Sequence, residues 1–457
     1  MQKYLKEIKI LLKITIPIIL SQISQMSIGF INNFMIRHFK ESDIASISIG
    51  TSIWFPVILF GHGLLLSLVP IISRMHGSKN IRNIPQQITN AYWLATLISI
   101  IIMIVLWNSN IIIKSIHHIN PEIEKQSIKY IRILLWSTPG YLYFQVIQNQ
   151  CEGLLKTKPA MFIGIIGLLL NVILNYIFMS GYCYYFNYGS MSCGISSIIV
   201  YWFMFLAMKI VTKQDKLVNY NTSNGLLKKK HLKLYLPNLK IIFNLFKIGI
   251  PIAFALFFEV ILFTIITLFI ASMGEIQIIS QQISLNISSI IFILPLSIGT
   301  ATSIRLGYYL GKKSFHKIST TILSSQIIGL ILAIIISTLI ILFNHQIITL
   351  YTKNKNVIEL SKKITFIIAS YQIFDFFQII GNGILRSYKD TNAIFIITIL
   401  SYWIIGFPCG YILAHTNYIT SKMEIIGFWI GIFISLTISS ILILFRIHTL
   451  KTKQIPT

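Results

Sequence analysis

Apolar runs follow one another down the whole chain, broken only by short polar stretches. A membrane-crossing helix needs about 20 apolar residues to span a hydrocarbon core of about 30 Å. That pattern predicts twelve helical spans, at 12–36, 44–73, 90–112, 130–150, 160–180, 193–211, 242–271, 278–304, 320–343, 361–384, 392–414 and 425–445. An even number of spans puts both termini on the same side of the membrane.

Composition narrows the class further. Of 457 residues, 55% are hydrophobic and only 11% are charged, which excludes an ordinary soluble domain. The expected fold class is an all-α integral membrane protein. The net charge of +25 would fit a nucleic-acid binder on a soluble fold. Here the basic residues sit in short loops between apolar spans, so the expected contact is membrane lipid and no nucleic acid. Counted by alternate loops, 27 basic residues fall on the face shared by the termini and 10 on the opposite face. The positive-inside rule then makes both termini cytoplasmic. The first apolar stretch is too long for a removable signal and reads as a span.

Little points to metal or redox chemistry. The four cysteines, Cys151, Cys183, Cys193 and Cys409, form no CxxC pair. Cys183 and Cys193 flank one short loop, and read either as a disulfide facing an oxidising compartment or as two unrelated small apolar residues. His117 and His118 read as solvated loop residues. The sequon at Asn221 falls in an expected cytoplasmic linker and carries no meaning there.

The chain reads as a duplication. IPIILSQISQMSIGF from Ile16 matches IPIAFALFFEVILFT from Ile250, with Pro17 and Pro251 234 residues apart. Gly77 and Gly311 repeat that offset of 234 in VPIISRMHGSKN and SIRLGYYLGKKS. YFQVIQNQCEGLLKT from Tyr143 matches FFQIIGNGILRSYKD from Phe376, with Gln145 and Gln378 offset by 233. Six spans per repeat give both halves the same orientation. The expected organisation is a first six-helix lobe at 1–212, a basic cytoplasmic linker at 213–241 carrying Lys228, Lys229, Lys230 and Lys233, and a second six-helix lobe at 242–457. Such pseudo-symmetric bundles suit a secondary transporter that alternates access by rocking its halves. The sequence has no GxxxxGK[ST] phosphate loop and so no ATPase of its own.

Thirteen acidic residues are present, and only Glu259 and Asp375 lie well inside spans. An ionisable group at mid-membrane costs on the order of 3 kcal/mol on insertion scales. Twelve residues separate Glu259 from the outer end of its span, about 18 Å of helix, and fourteen separate Asp375 from its own, about 21 Å. The depths match, and both acids belong to the second lobe. Tyr371, Asp375, Gln378 and Asn382 share one helix face, and Gln282, Asn286 and Ser289 form a second stripe. Carboxylates beside such oxygens can take up a proton or a hard monovalent cation and release it when the cavity changes shape. The competing reading is acids locked in interhelical hydrogen bonds.

The first lobe carries amides instead: Gln22, Gln25, Gly29 and Asn32 on span one, Gln145, Gln148, Asn149 and Glu152 on span four, Asn171 and Asn175 on span five. They either line a polar cavity or join helices. Arg132 is expected to snorkel or pair locally, and Arg305 to anchor an interface.

Longer stretches carry a family likeness. GTSIWFPVILFGHGLLLSLVP from Gly50, QNQCEGLLKTKP from Gln148, GLLLNVILNYIF from Gly167, LFFEVILF from Leu256, YQIFDFFQIIGNGILRSYKDT from Tyr371 and GFWIGI from Gly427 resemble the multidrug and toxic compound extrusion (MATE) family, in its bacterial NorM-like branch. The likeness covers essentially the whole chain. It implies two six-helix lobes around a central cavity, in a bacterial inner membrane. It implies a non-enzymatic antiporter exporting small cationic, amphipathic compounds against inward sodium or proton flow, with no other cofactor. In that family the acids matching Glu259 and Asp375 bind the coupling cation, and the tyrosine matching Tyr371 stands nearby. The family usually has an aspartate late in span one. Here the run is GFINN and the position is Asn32, an amide that cannot take up a proton at ordinary pH. That favours sodium coupling through the second lobe, with Gln282, Asn286, Gln378, Asn382, Asn32, Asn171 and Asn175 as cavity candidates. The chain reads as a monomer. A flippase for a lipid-linked or polysaccharide precursor is the alternative, but an anionic headgroup calls for a cationic cavity, and the deep charges here are negative. No nucleophile–base pair within the spans suggests an enzyme.

Overall fold

The computed structural model describes residues 2–35, 41–114, 120–179, 190–214, 236–417 and 421–452. Cys183, His117, His118, Asn221 and the lysines at 228–230 and 233 lie outside the described residues. All regular structure among those described is helical. The elements are α1 (Gln2–Met35), α2 (Glu41–Leu65), α3 (Leu68–Gly77), α4 (Ile84–Trp107), α5 (Ser109–Lys114), α6 (Pro121–Leu134), α7 (Ser137–Gly153), α8 (Lys158–Met179) and α9 (Ser190–Gln214). They continue with α10 (Leu239–Ala271), α11 (Glu275–Gly311), α12 (Phe315–Leu342), α13 (Asn344–Thr349), α14 (Lys355–Tyr388), α15 (Thr391–Thr398), a π-helical segment (Ile399–Gly406), α16 (Phe407–His415) and α17 (Ile425–Thr452).

Eleven helical stretches among the described residues are long and apolar enough to cross a membrane. The twelfth expected span, 130–150, is divided between α6 and α7, which meet at a turn over Leu135 and Trp136. Pro139 explains the break, because it has no N–H to give to the carbonyl four residues earlier. The divided span is also the polar one, and α7 buries Gln145, Gln148, Asn149 and Glu152.

The chain forms two compact units. The first is Ile16–Ala253, and the second combines Met1–Thr15 with Phe254–Thr457. Both boundaries fall inside long helices, α1 and α10, one or two residues from Pro17 and Pro251. Each proline removes one hydrogen bond from its helix. In the first unit, Leu64, Ile72, Ala95, Ile131, Phe144 and Val200 form a core shared by α2, α3, α4, α6, α7 and α9. The second unit has one core around Ile298, Ile322, Phe376, Ile380 and Ile443 and another around Leu262, Tyr371, Tyr402, Phe428 and Trp429.

The duplication is visible in the backbone of each unit. Helix α3 ends with Lys79 at φ 59, and Asn80 N–H reaches back to the Met75 carbonyl. Helix α11 ends with Lys313 at φ 56, and Ser314 N–H reaches the Tyr309 carbonyl. Leu155 at φ 64 closes α7 and Lys389 at φ 62 closes α14 by the same device. All four are left-handed helix caps without the usual glycine. In the second unit, α11 and α14 approach backbone to backbone. A Cβ on Gly383 would stand 2.1 Å from the Gly299 carbonyl oxygen, so only glycine permits this contact.

Candidate functional site

The two deep carboxylates come together in the second unit. Asp375, on α14, is 7% exposed, and Glu259, on α10, is half-buried. Asp375 lies within electrostatic reach of Glu259. Two phenols complete the group. Tyr371 is one turn before Asp375, and its hydroxyl is 3.0 Å from Ser288 Oγ on α11. The Tyr402 hydroxyl donates to Gln378 Oε1 at 2.9 Å and lies 3.5 Å from Glu259 Oε1. A carboxylate pair surrounded by neutral oxygens is a donor set for a hard cation or a proton.

The local reasons for this convergence are legible. Asp375 and Gln378 are three residues apart and share a helix face. Tyr402 sits on the π-helical segment Ile399–Gly406. The next residue, Trp403, donates its indole N–H to the Phe258 carbonyl at 3.2 Å and packs edge-on against the Phe258 ring. The π segment is therefore fastened to α10 one residue from Glu259.

Sequence reasoning placed Tyr371, Asp375 and Gln378 on one face, and all three are buried there. Asn382, on the same face, is half-buried and leaves its Oδ1 without a partner. On α11, Gln282 is exposed and Asn286, Ser288 and Ser289 are half-buried, while Gln281 and Ser284 are buried. Gln281 accepts from Trp429 Nε1 at 2.9 Å. Two glutamines in succession give a helical pattern no means of choosing between adjacent faces. Tyr402 was missed because a tyrosine within LSYWIIG reads as apolar packing. The available signal was chemical: a buried phenol seeks a hydrogen-bond partner.

The first unit gathers its amides at two places. Asn32 on α1 donates to Ser197 Oγ on α9 at 3.0 Å and accepts from Asn175 Nδ2 on α8 at 2.7 Å. Asn175 also reaches Asn171 Oδ1 at 3.3 Å. Asn171 Nδ2 and Asn175 Oδ1 remain unpartnered although buried. Nearer the α1 midpoint, Gln145 donates to Gln25 at 3.0 Å, Gln25 to Gln148 at 3.3 Å, and Gln148 to Glu152 at 2.8 Å. Glu152, next to the end of α7, is buried. Among the described residues, no three His, Cys, Asp or Glu side chains cluster as a metal site. Among the described residues, Cys151, Cys193 and Cys409 form no disulfide. Arg132 lies over the Trp107 ring at 4.9 Å. Arg305 forms an ion pair with Glu7 at 2.8 Å.

Comparison with known proteins bears on this arrangement. The MatE family model matches residues 17–177 and 251–412, once per repeat. A protein described as probable multidrug resistance protein NorM, from Buchnera aphidicola subsp. Baizongia pistaciae (strain Bp), is 70% identical over 99% of this chain and 100% of its own length. The crystal structure of the eukaryotic MATE transporter AtDTX14 superposes with a TM-score of 0.87, covering 99% of this chain and 98% of that one at 19% identity. The Vibrio cholerae MATE transporter VcmN in its bent form gives 0.86, covering 99% of both chains at 16% identity.

Proposed function

The chain belongs to the MatE family, a multi-pass, all-helical family of non-enzymatic transporters, and from that premise we propose that it is a secondary antiporter exporting small cationic, amphipathic compounds. The 70% identical relative is described as a probable multidrug resistance protein, which supports that substrate class. Inward Na+ drives the export, and Glu259 and Asp375 hold the ion. Both termini lie on the cytoplasmic side of a bacterial inner membrane, as the loop charges indicate. The transporter works as a monomer.

One observation carries the coupling assignment: the two mid-span carboxylates of the chain share a single cluster with Tyr371, Tyr402 and Gln378. Two uncompensated carboxylates are costly in a membrane interior. A cation between them relieves that cost in one state of the transport cycle, and its release restores it in the other. Sodium is preferred to the proton because the position that usually carries an aspartate late in the first span is here Asn32, an amide bonded to Ser197 and Asn175. The binding chemistry thus rests on one unit.

The test is efflux of a fluorescent organic cation from proteoliposomes under an imposed Na+ gradient and, separately, under a pH gradient. Efflux driven by Na+ and lost in Glu259→Gln and Asp375→Asn is the expected result. Coupling retained in both variants removes the assignment. Efflux driven by pH alone replaces sodium with the proton at the same carboxylates.

A further inference from the structure

We propose that Tyr402 is a third ligand of the coupling site: a neutral hydroxyl oxygen, aimed at the cation by Gln378 and carried into place by the π-helical turn. The inference rests on the assignment of Glu259 and Asp375 as the coupling pair.

Tyr402 has one hydroxyl hydrogen and faces two oxygens, Gln378 Oε1 at 2.9 Å and Glu259 Oε1 at 3.5 Å. The shorter distance takes the hydrogen, and the longer one is beyond a normal O–H···O bond. The Tyr402 oxygen then presents lone-pair density to the Glu259 carboxyl 3.5 Å away whenever that group is ionised. Two electron-rich oxygens held that way repel, unless a cation or a proton sits between them. An ion there finds a carboxylate on one side and a neutral hydroxyl on the other. Gln378 keeps the hydroxyl hydrogen out of the way and so acts as a positioning residue. Without it, the hydrogen swings to Glu259 and occupies the oxygen that an ion would use.

The backbone supports the same reading. Tyr402 is 1% exposed and lies within electrostatic reach of Glu259, Asp375 and Tyr371. Its segment is π-helical over eight residues, Ile399–Gly406. Regular helices avoid this geometry, which is found frequently at functional sites. Pro408 contributes by withholding a backbone donor from the carbonyls of the preceding turn. Gly406 fixes the segment against α17, where a Cβ would collide with Ser435 Oγ and press on the Gly431 carbonyl at 3.0 Å. The Trp403–Phe258 hydrogen bond clamps the other side. A residue serving only to pack would not need its phenol aimed at the one half-buried carboxylate of α10.

The experiment measures the half-saturating Na+ concentration for efflux in proteoliposomes of the full chain. Tyr402→Phe, Gln378→Leu, the double variant and Glu259→Gln are compared with the unmodified protein. Losing a hydrogen-bonding oxygen beside a charge should raise half-saturating Na+ about tenfold in Tyr402→Phe. Gln378→Leu should raise it similarly. The double variant should be no worse than either single one, since Gln378 acts only through Tyr402. Half-saturation unchanged in Tyr402→Phe, with coupling abolished in Glu259→Gln, overturns the inference and leaves the coupling pair standing. A fall in maximal efflux alone overturns it too, and assigns Tyr402 to packing. Coupling retained in Glu259→Gln sinks the pair itself, and the inference with it. If Tyr402→Phe does not fold, Gln378→Leu decides by the same readout.

Discussion

Gln25 and Glu259 stand 234 residues apart, at equivalent points of the two repeats, and Gln145 and Gln378 stand 233 apart. In the first unit the pair touches directly, with Gln145 donating to Gln25 at 3.0 Å. In the second unit Tyr402 stands between its members, at 2.9 Å from Gln378 and 3.5 Å from Glu259. A glutamine has the shape of a glutamate but brings its own donors. The first unit therefore satisfies this position from within, through Gln145, Gln25, Gln148 and Glu152. The second unit replaces the amide by a carboxylate and places a second, Asp375, nearby. The same scaffold holds an amide network in one copy and, in the other, the carboxylate pair proposed above for the coupling cation.

The largest expected effect comes from erasing that difference. Glu259→Gln gives the second unit the residue of the first, and Asp375→Asn removes the remaining acid. Each should abolish gradient-driven efflux while leaving the purified protein's melting temperature close to its original value, since a neutral amide is cheaper to bury than a carboxylate. Active transport by both variants would show that the contrast between units has no bearing on coupling.

The converse change puts an acid into the first unit. In Asn32→Asp, a protonated carboxyl can still donate to Ser197 and accept from Asn175, so the cluster survives in its neutral form. Sodium-driven efflux should persist, and a pH-driven component should appear beside it. Efflux measured under each gradient separates the two. Loss of the sodium-driven component would mean that the first unit takes part in sodium coupling after all.

How much of this was legible follows from which features repeat along a helix. Apolar runs announced the helices, and fixed offsets announced the duplication, because both are patterns of residue type. Asp375 and Gln378 were legible because helical spacing places them on one face. Tyr402 was not, because its position depends on a π turn, and no residue type marks one. On α11, adjacent Gln281 and Gln282 likewise left the helix phase undecided, and it is Gln281 that is buried. The left-handed caps at Lys79, Leu155, Lys313 and Lys389 were silent too, since glycine is the residue that normally signals that geometry. The break at Leu135–Trp136 was readable from Pro139, but the apolar run across it hid the division.

A smaller effect is expected where the second unit is packed most tightly. Gly383→Ala places a Cβ 2.1 Å from the Gly299 carbonyl oxygen and 2.7 Å from its carbon. Backbone cannot yield as a flexible side chain can, so α11 and α14 must separate. Overpacking of this kind costs about 1–3 kcal/mol. Since α11 carries Ser288 and α14 carries Asp375, the separation should also raise half-saturating Na+. Thermal unfolding in detergent and the sodium titration check the two consequences independently. A stable variant with unchanged sodium dependence would mean that the close approach positions nothing.

The smallest effect belongs to the first unit's counterpart of the coupling site. Gln145→Leu removes the 3.0 Å bond to Gln25 and leaves Gln25 its contacts with Ser21 and Gln148. Interhelical hydrogen bonds in membranes average about 0.6 kcal/mol and rarely exceed about 1.7. One Gln145 oxygen is already buried without a partner, so its loss offsets part of that. The variant should melt within a few degrees of the unmodified protein and keep its sodium dependence. The equivalent Gln378→Leu should instead disturb sodium dependence, because Tyr402 stands between Gln378 and a carboxylate. If the two variants alter sodium dependence equally, the amide network of the first unit is part of the coupling machinery, and the division of labour between the repeats fails.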